Sequence, residues 1–427
     1  MKFLEVKAAH RTAFFSLLGI CMVGGGALAS GFVVPGSRNY SVATPAASST
    51  VEEVKKPTLP VVEHVSIPTA VKGVYMSQCA AGSETFRADY FKQFKNTELN
   101  TVVLDLKDYS GTVSFPSDTA LPGSGCTVSD FREFVKELHA NNVFVIGRMT
   151  VFQDPLYTKH HPDEAVKRAS DTSLVWKDRK GLSFVDVGSK PFWDYIVTLS
   201  REAVMLGVDE INYDYIRYPS DGDMKDVYYS HSEGTPPEQL EHFFVYLTDK
   251  MRTPSADGYV PKLSVDLFGM TATNEDDLNI GQQLERAMPY FDFIYPMVYP
   301  SHYPSGFHGY KNVNANAYGI VNFSMKVAAA RTLATSTPIG SFAYTPIASA
   351  STSSPQATSP KLYAKPSYDA QKIRPWLQSF DYPVDYTPAM VQEQIQATYD
   401  AGLTGWLFWD AANRYTSLKQ VLQPKSQ

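Results

Sequence analysis

Apolar and polar residues alternate one by one from Glu210 to Tyr215 within Gly207-Val-Asp-Glu-Ile-Asn-Tyr-Asp-Tyr-Ile-Arg-Tyr-Pro219. Ile211, Tyr213 and Tyr215 take one face, and Glu210, Asn212 and Asp214 take the other, at the period of two that marks a strand. A half-buried strand turns its polar face to water. In a closed parallel barrel both faces are covered, so a polar face must line the interior near the mouth. Pro219-Ser-Asp-Gly222 then stops the run. Asp214 and Arg217 are left at the carboxyl end of a strand, where barrels carry their chemistry.

The same rhythm predicts strands at Gly73–Gln78, Leu99–Leu106, Val143–Met149, Leu263–Phe268, Phe291–Tyr299, Thr337–Phe342 and Leu403–Trp409. Between them, apolar residues fall at helical spacing over Phe86–Asn96, Val128–Asn141, Lys190–Leu206, Pro237–Arg252, Ile280–Met288, Asn316–Ala334 and Pro388–Ala401. Eight strands alternating with helices predict an α/β fold, a (β/α)8 TIM barrel with long loop insertions over residues 71–427. The rival is an open doubly wound sheet. Its dinucleotide form is disfavoured, because no Gly-rich phosphate turn follows the first strand. A Ser/Thr/Pro/Ala-rich segment, roughly Ala348 to Pro366 within an insertion of about 344–370, has no core-forming pattern and is expected to be a mobile loop.

Residues 1–37 depart from this pattern. Lys2, Lys7 and Arg11 precede an uncharged run from Thr12 to Ser37, with Ala27-Leu-Ala29 as a small-residue cleavage site. The run is also long enough to span a bilayer, which takes roughly 20 residues. A cleaved signal peptide and a retained anchor both remain open, and either puts the body of the protein outside the membrane. Residues 38–70 are rich in Ser, Thr, Ala, Pro and Val and read as a disordered linker. Three cysteines occur, and Cys79 and Cys126 follow the first two predicted strands. In an exported protein they could pair, but spacing alone leaves this open.

Composition narrows the partners. A 44% hydrophobic and 19% charged chain is a soluble globular protein with a large core. Its net charge of −6, without a Lys/Arg run, argues against nucleic acid. The 26 tyrosines offer rings with polar edges, which suit sugars as well as cores. No motif calls for a cofactor. His160 and His161 are adjacent and point apart in an extended loop, and no His-Glu-x-x-His or Cys-x-x-Cys pattern appears. No Gly-x-Ser-x-Gly elbow is present, which disfavours a serine hydrolase.

The strand ends hold Asp105 with Lys107 and Asp108, Arg148, Asp214 with Arg217, Asp266, Tyr299 with His302, and Trp409 with Asp410. Period two turns Asp105, Ser264 and Asp266 inward, so Asp214 and Asp266 are predicted to end neighbouring strands over one cavity. Two carboxyl groups flanking a glycosidic bond are what sugar hydrolysis requires, one as acid and one as nucleophile or base. Arg217 is expected to hold Asp214 ionised, and a drier setting raises the pKa of the acid. Capping or pairing with an arginine is the structural alternative for each Asp. It weighs least for Asp214, whose inward polar row has no simpler explanation. Glu210 and Asn212, deeper on the strand, are read as an internal network. Trp409 is a stacking platform or a core residue, and Trp176 has a weaker claim.

At these residues the chain resembles a bacterial family described as a putative glycosyl hydrolase domain, related to α-amylase-like barrels. The stretches that carry the resemblance are Leu99-Asn-Thr-Val-Val-Leu-Asp-Leu-Lys107, Val145 to Pro155, Gly207 to Ser220, Ser264-Val-Asp-Leu-Phe-Gly269 and Tyr295 to Tyr303. The resemblance implies a (β/α)8 barrel acting on polysaccharide, with the nucleophile at Asp214. Related barrels end the fifth strand in Glu, whereas this chain has Asp266.

The expectation is therefore an exported or membrane-tethered glycoside hydrolase of cell-wall or extracellular polysaccharide. Asp214 and Asp266 would be catalytic, while Asp105, Arg148, Arg217, Tyr299, His302 and Trp409 would place the sugar. A non-catalytic glycan-binding barrel is the alternative. A metal-dependent deacetylase using His302 is the less favoured one, since His302 has no local histidine partner.

Overall fold

The computed structural model describes residues 62–347 and 361–425. The amino-terminal signal or anchor segment and the middle of the Ser/Thr/Pro-rich insertion lie outside them. Among the described residues no helix is long and apolar enough to cross a membrane.

Eight parallel strands close into a barrel: β1 (Lys72–Met76), β2 (Thr101–Lys107), β3 (Phe144–Thr150), β4 (Glu210–Asp214), β5 (Lys262–Phe268), β6 (Phe293–Met297), β7 (Trp376–Gln378) and β8 (Trp406–Trp409). Each pairs with the next in sequence, and β8 closes onto β1. The chain is a (β/α)8 barrel. Leu104, Leu106, Ile211, Tyr213, Val265 and Leu267 point outward into the main core beneath the helices. Tyr75, Val103, Ile146, Tyr295 and Trp376 form a second, smaller cluster, and period-two alternation along their strands puts them inside the ring.

Three of the helices begin on capping residues. Ser189 accepts from the Phe192 N–H ahead of Lys190–Val204, Thr387 does the same for Pro388–Asp400, and a Thr235/Glu238 capping box opens Pro236–Met251. All three have Pro in the first turn, where its missing N–H costs nothing.

Three expectations are corrected. The seventh strand is not Thr337–Phe342. Only Ser336–Thr337 is extended, in a small antiparallel sheet with Thr345–Pro346 and Tyr363–Ala364 outside the ring. The barrel position belongs to Trp376-Leu-Gln378, three buried residues too few to display a period. That outer sheet also means the flanks of the insertion are paired, not a free loop. Lastly, the barrel unit includes residues assigned to the linker: the His64 ring and the Val65 N–H both bond Asp209 Oδ1, at 3.2 and 3.0 Å.

Candidate active site

Strand register sets the site. Asp105 on β2 is level with Arg148 on β3, which is level with Asn212 on β4, and Asn212 is level with Ser264 on β5. One inward step further toward the carboxyl end come Asp214 and Asp266. Arg148 sits among them. Its Nε and Nη2 donate to Asp214 Oδ2 at 3.0 and 2.5 Å, and its Nη1 donates to Asp105 Oδ1 at 2.5 Å. Its Nε also lies 4.0 Å from Asp266 Oδ2. One buried cation thus faces three carboxyl groups and cannot neutralise them all.

The carboxyl groups resolve this differently. Both oxygens of Asp214 face donors, since Oδ1 accepts from the Tyr215 N–H at 2.6 Å and Oδ2 from Arg148. That setting suits a carboxylate. Asp266 is 1% exposed, and burial pushes its carboxyl well above the usual range. The charge of Asp214 adds to this, and burial and that charge together outweigh Arg148, Asn212 and Trp376. Asp266 Oδ1 accepts from Asn212 Nδ2 and Trp376 Nε1, both at 2.9 Å. A proton on Asp266 therefore belongs on Oδ2, the oxygen on the Arg148 side. Asp105 is also raised by burial, against Arg148 and the Tyr75 hydroxyl, which donates to its Oδ2 at 2.5 Å.

These groups open onto a cavity of about 610 Å³, a size suited to small ligands. All eight residues singled out from sequence line it: Asp105, Arg148, Asp214, Arg217, Asp266, Tyr299, His302 and Trp409. Trp409 stacks on Tyr75, with centroids 3.8 Å apart, and the Arg148 guanidinium lies 4.9 Å from the Trp409 ring. Tyr299 and His302 pack with their rings tilted, centroids 5.4 Å apart, and burial lowers the His302 pKa.

One predicted role is corrected. Arg217 does not hold Asp214; Arg148 does. Tyr215 adopts a left-handed backbone (φ 48°) directly after Asp214, which ends the strand's alternation, and Arg217 then serves the loop. Its Nη1 donates to the Tyr218 carbonyl at 2.9 Å and to Ser220 Oγ at 3.1 Å. Such a backbone costs a non-glycine residue about 1–3 kcal/mol and tends to gather at functional sites. Lys107 and Asp410 are structural: Lys107 is buried against Asp154 at 2.8 Å, and Asp410 accepts three backbone N–H groups of its own turn. Trp176 packs with Val166 and Phe184 under the long loop.

Sequence reasoning missed Tyr75 and Trp376 as partners of the carboxyl groups, and Asn212 as the donor to Asp266. Tyr75 was accessible, since it follows Gly73 at period two. Trp376 was not, because its strand went unseen. Among the described residues no three His, Cys, Asp or Glu side chains gather as a metal site requires.

The chain matches the family described as "Putative glycosyl hydrolase domain" over residues 73–343 and 341–415. It belongs to that family. No curated protein matches it. Among solved structures it is similar to the PgaB (BpsB) glycoside hydrolase domain from Bordetella bronchiseptica, at TM-score 0.55 and 10% identity, covering 84% of this chain and 100% of that one. It is also similar to alpha-L-fucosidase isoenzyme 2 from Paenibacillus thiaminolyticus, at TM-score 0.50 and 10% identity, covering 82% of this chain and 48% of the fucosidase. A hypothetical protein from Ruminiclostridium thermocellum shares 29% identity over 45% of this chain and 96% of its own, at TM-score 0.40. At 10% identity the first two likenesses speak to the fold.

Proposed function

We propose that this family member is a glycoside hydrolase of cell-wall or extracellular polysaccharide, with Asp266 as the acid and Asp214 as the nucleophile or base. The observation that carries this reading is the pairing of unlike carboxyl groups on adjacent strands of one open cavity: Asp214 surrounded by donors, Asp266 raised by burial and by Asp214. A protonated Asp266 can give its proton to the departing glycosidic oxygen while Asp214 faces the developing positive charge at the anomeric carbon. Both carboxyl groups approach Arg148 Nε, at 3.0 and 4.0 Å, so their Oδ2 atoms are no farther apart than those two lengths laid end to end. That bound admits the spacing of about 5–5.5 Å used by retaining enzymes and reaches only the low end of the inverting range of about 6.5–9.5 Å. The bound favours attack by Asp214 itself.

The expected export fits the Cys79–Cys126 disulfide, whose Cα atoms lie 5.0 Å apart, since such bonds persist in oxidising compartments. The glycan-binding alternative draws support from Arg148, which ties up Asp105 and Asp214 as a purely structural network would. Incubating the full chain with a panel of bacterial cell-wall glycans and exopolysaccharides separates the two. New reducing ends are expected from at least one; glycan binding without any release would favour the binder.

A further inference from the structure

Arg148 and Arg217 border the same cavity and are used differently. Arg148 spends its Nε–Nη2 edge on Asp214 and its Nη1 on Asp105. Arg217 spends only Nη1, on the Tyr218 carbonyl and Ser220 Oγ. Among the described residues its Nε and Nη2 have no hydrogen-bond partner, and no carboxylate lies within ion-pair distance of it. This is the planar, two-donor edge that arginine presents to carboxylates. The guanidinium is held in place by its two Nη1 bonds and by the Tyr215 ring, whose centroid is 5.1 Å away. Asp214 and Asp178 act on it through space without touching it. A part-buried cation without a counter-ion is costly, which makes it a strong site for an anion.

The neighbouring acids leave room for that anion. Asp105 and Asp214 direct their charge at Arg148. Asp108 Oδ1 accepts from Ser110 N–H and Oγ, and its Oδ2 from Gln78 Nε2.

We propose that Arg217 is a carboxylate receptor of the cavity, so that the glycan it takes carries an acidic sugar beside the bond presented to Asp214. This deepens the glycoside hydrolase reading and rests on it only for the position of that bond. The carboxylate can come from a uronic acid or from a lactyl ether on an amino sugar.

The test is equilibrium binding by the full chain, which needs no turnover. The ligands are a glucuronate-containing oligosaccharide and a peptide-free glycan strand bearing lactyl carboxylates, each beside its carboxyl-reduced, neutral counterpart. Wild type is expected to bind one acidic form at least tenfold more tightly than its neutral counterpart, and the preferred pair identifies the source. Arg217→Gln should bring that ratio to near one, and Arg217→Lys, which keeps the charge but not the two-donor edge, should leave part of it. Free acetate should compete on wild type, so the outcome does not depend on either variant folding. Equal binding of acidic and neutral forms by wild type, or a ratio unchanged in Arg217→Gln, would overturn the proposal. Selective binding without cleavage of any ligand would sink the hydrolase reading and leave the receptor standing.

Discussion

The barrel holds two polar clusters made of the same residue types, one at its mouth and one on its floor. On the floor, Glu210 accepts from the Tyr295 hydroxyl and faces Arg374 Nη1 at 3.4 Å. At the mouth, Asp105 accepts from the Tyr75 hydroxyl and faces Arg148 Nη1 at 2.5 Å. The floor has one acid for its arginine, which also lies over the Phe293 ring at 3.3 Å, and Glu210 is sealed from solvent. The mouth has three acids for its arginine and an open cavity above them. An acid, a tyrosine and an arginine therefore do not make a site. A surplus of carboxyl groups over cations, beside a space where a substrate can stand, does.

The comparison breaks most sharply at Asp214 and Glu210, four residues apart on β4. Asp214→Asn is expected to lower kcat on any cleaved glycan by about 10³-fold or more, whereas Glu210→Gln should leave turnover per folded molecule within a few-fold. Steady-state rates normalised to folded protein decide this.

The arginines sharpen it. Arg148→Ala and Arg374→Ala each strand a buried acid and should each cost about 3–5 kcal/mol in denaturant unfolding. Only the first should also abolish cleavage in the molecules that remain folded.

Titration gives a smaller effect. Burial raises Glu210 in the folded state, with Arg374 opposing. A raised acid contributes its stability below the unfolded pKa and loses it as pH rises through the folded one. Glu210→Gln should therefore flatten the loss of stability toward alkaline pH without altering kcat, as unfolding midpoints across pH would show.

The smallest effect is at the stacked ring. Trp409→Ala should raise KM about 2- to 10-fold, the equivalent of about 0.5–1.5 kcal/mol of aromatic contact, with kcat little changed.

Much of the mouth was legible because period two fixes inward and outward faces without any tertiary information. Asp105, Asp214 and Asp266 followed from Leu104, Tyr213 and Val265 pointing the other way. Partnerships were less legible. Arg148 and Arg217 are equally near Asp214 as far as sequence can say. The choice between them depends on a left-handed residue at Tyr215, a position where an aromatic side chain gives no warning. The seventh strand failed for a different reason. Three residues held by Trp376 in the interior and Leu377 outside carry too few positions for alternation to register, while Thr337–Phe342 imitates a strand and lies elsewhere. The disulfide needed coordinates, since two cysteines 47 residues apart are joined by the closeness of a short helix after β1 and the loop after β2, and not by any local pattern.

The central claim is that burial and the neighbouring Asp214 make Asp266 the acid of the pair. The most direct check is the pH dependence of kcat/KM for wild type and Asp266→Asn on one cleaved glycan. An acid works only while protonated, so the wild-type rate should fall as pH rises through the raised Asp266 pKa, and the residual rate of the variant should run flat through that same interval. An alkaline fall of equal size at the same pH in the variant would contradict the account.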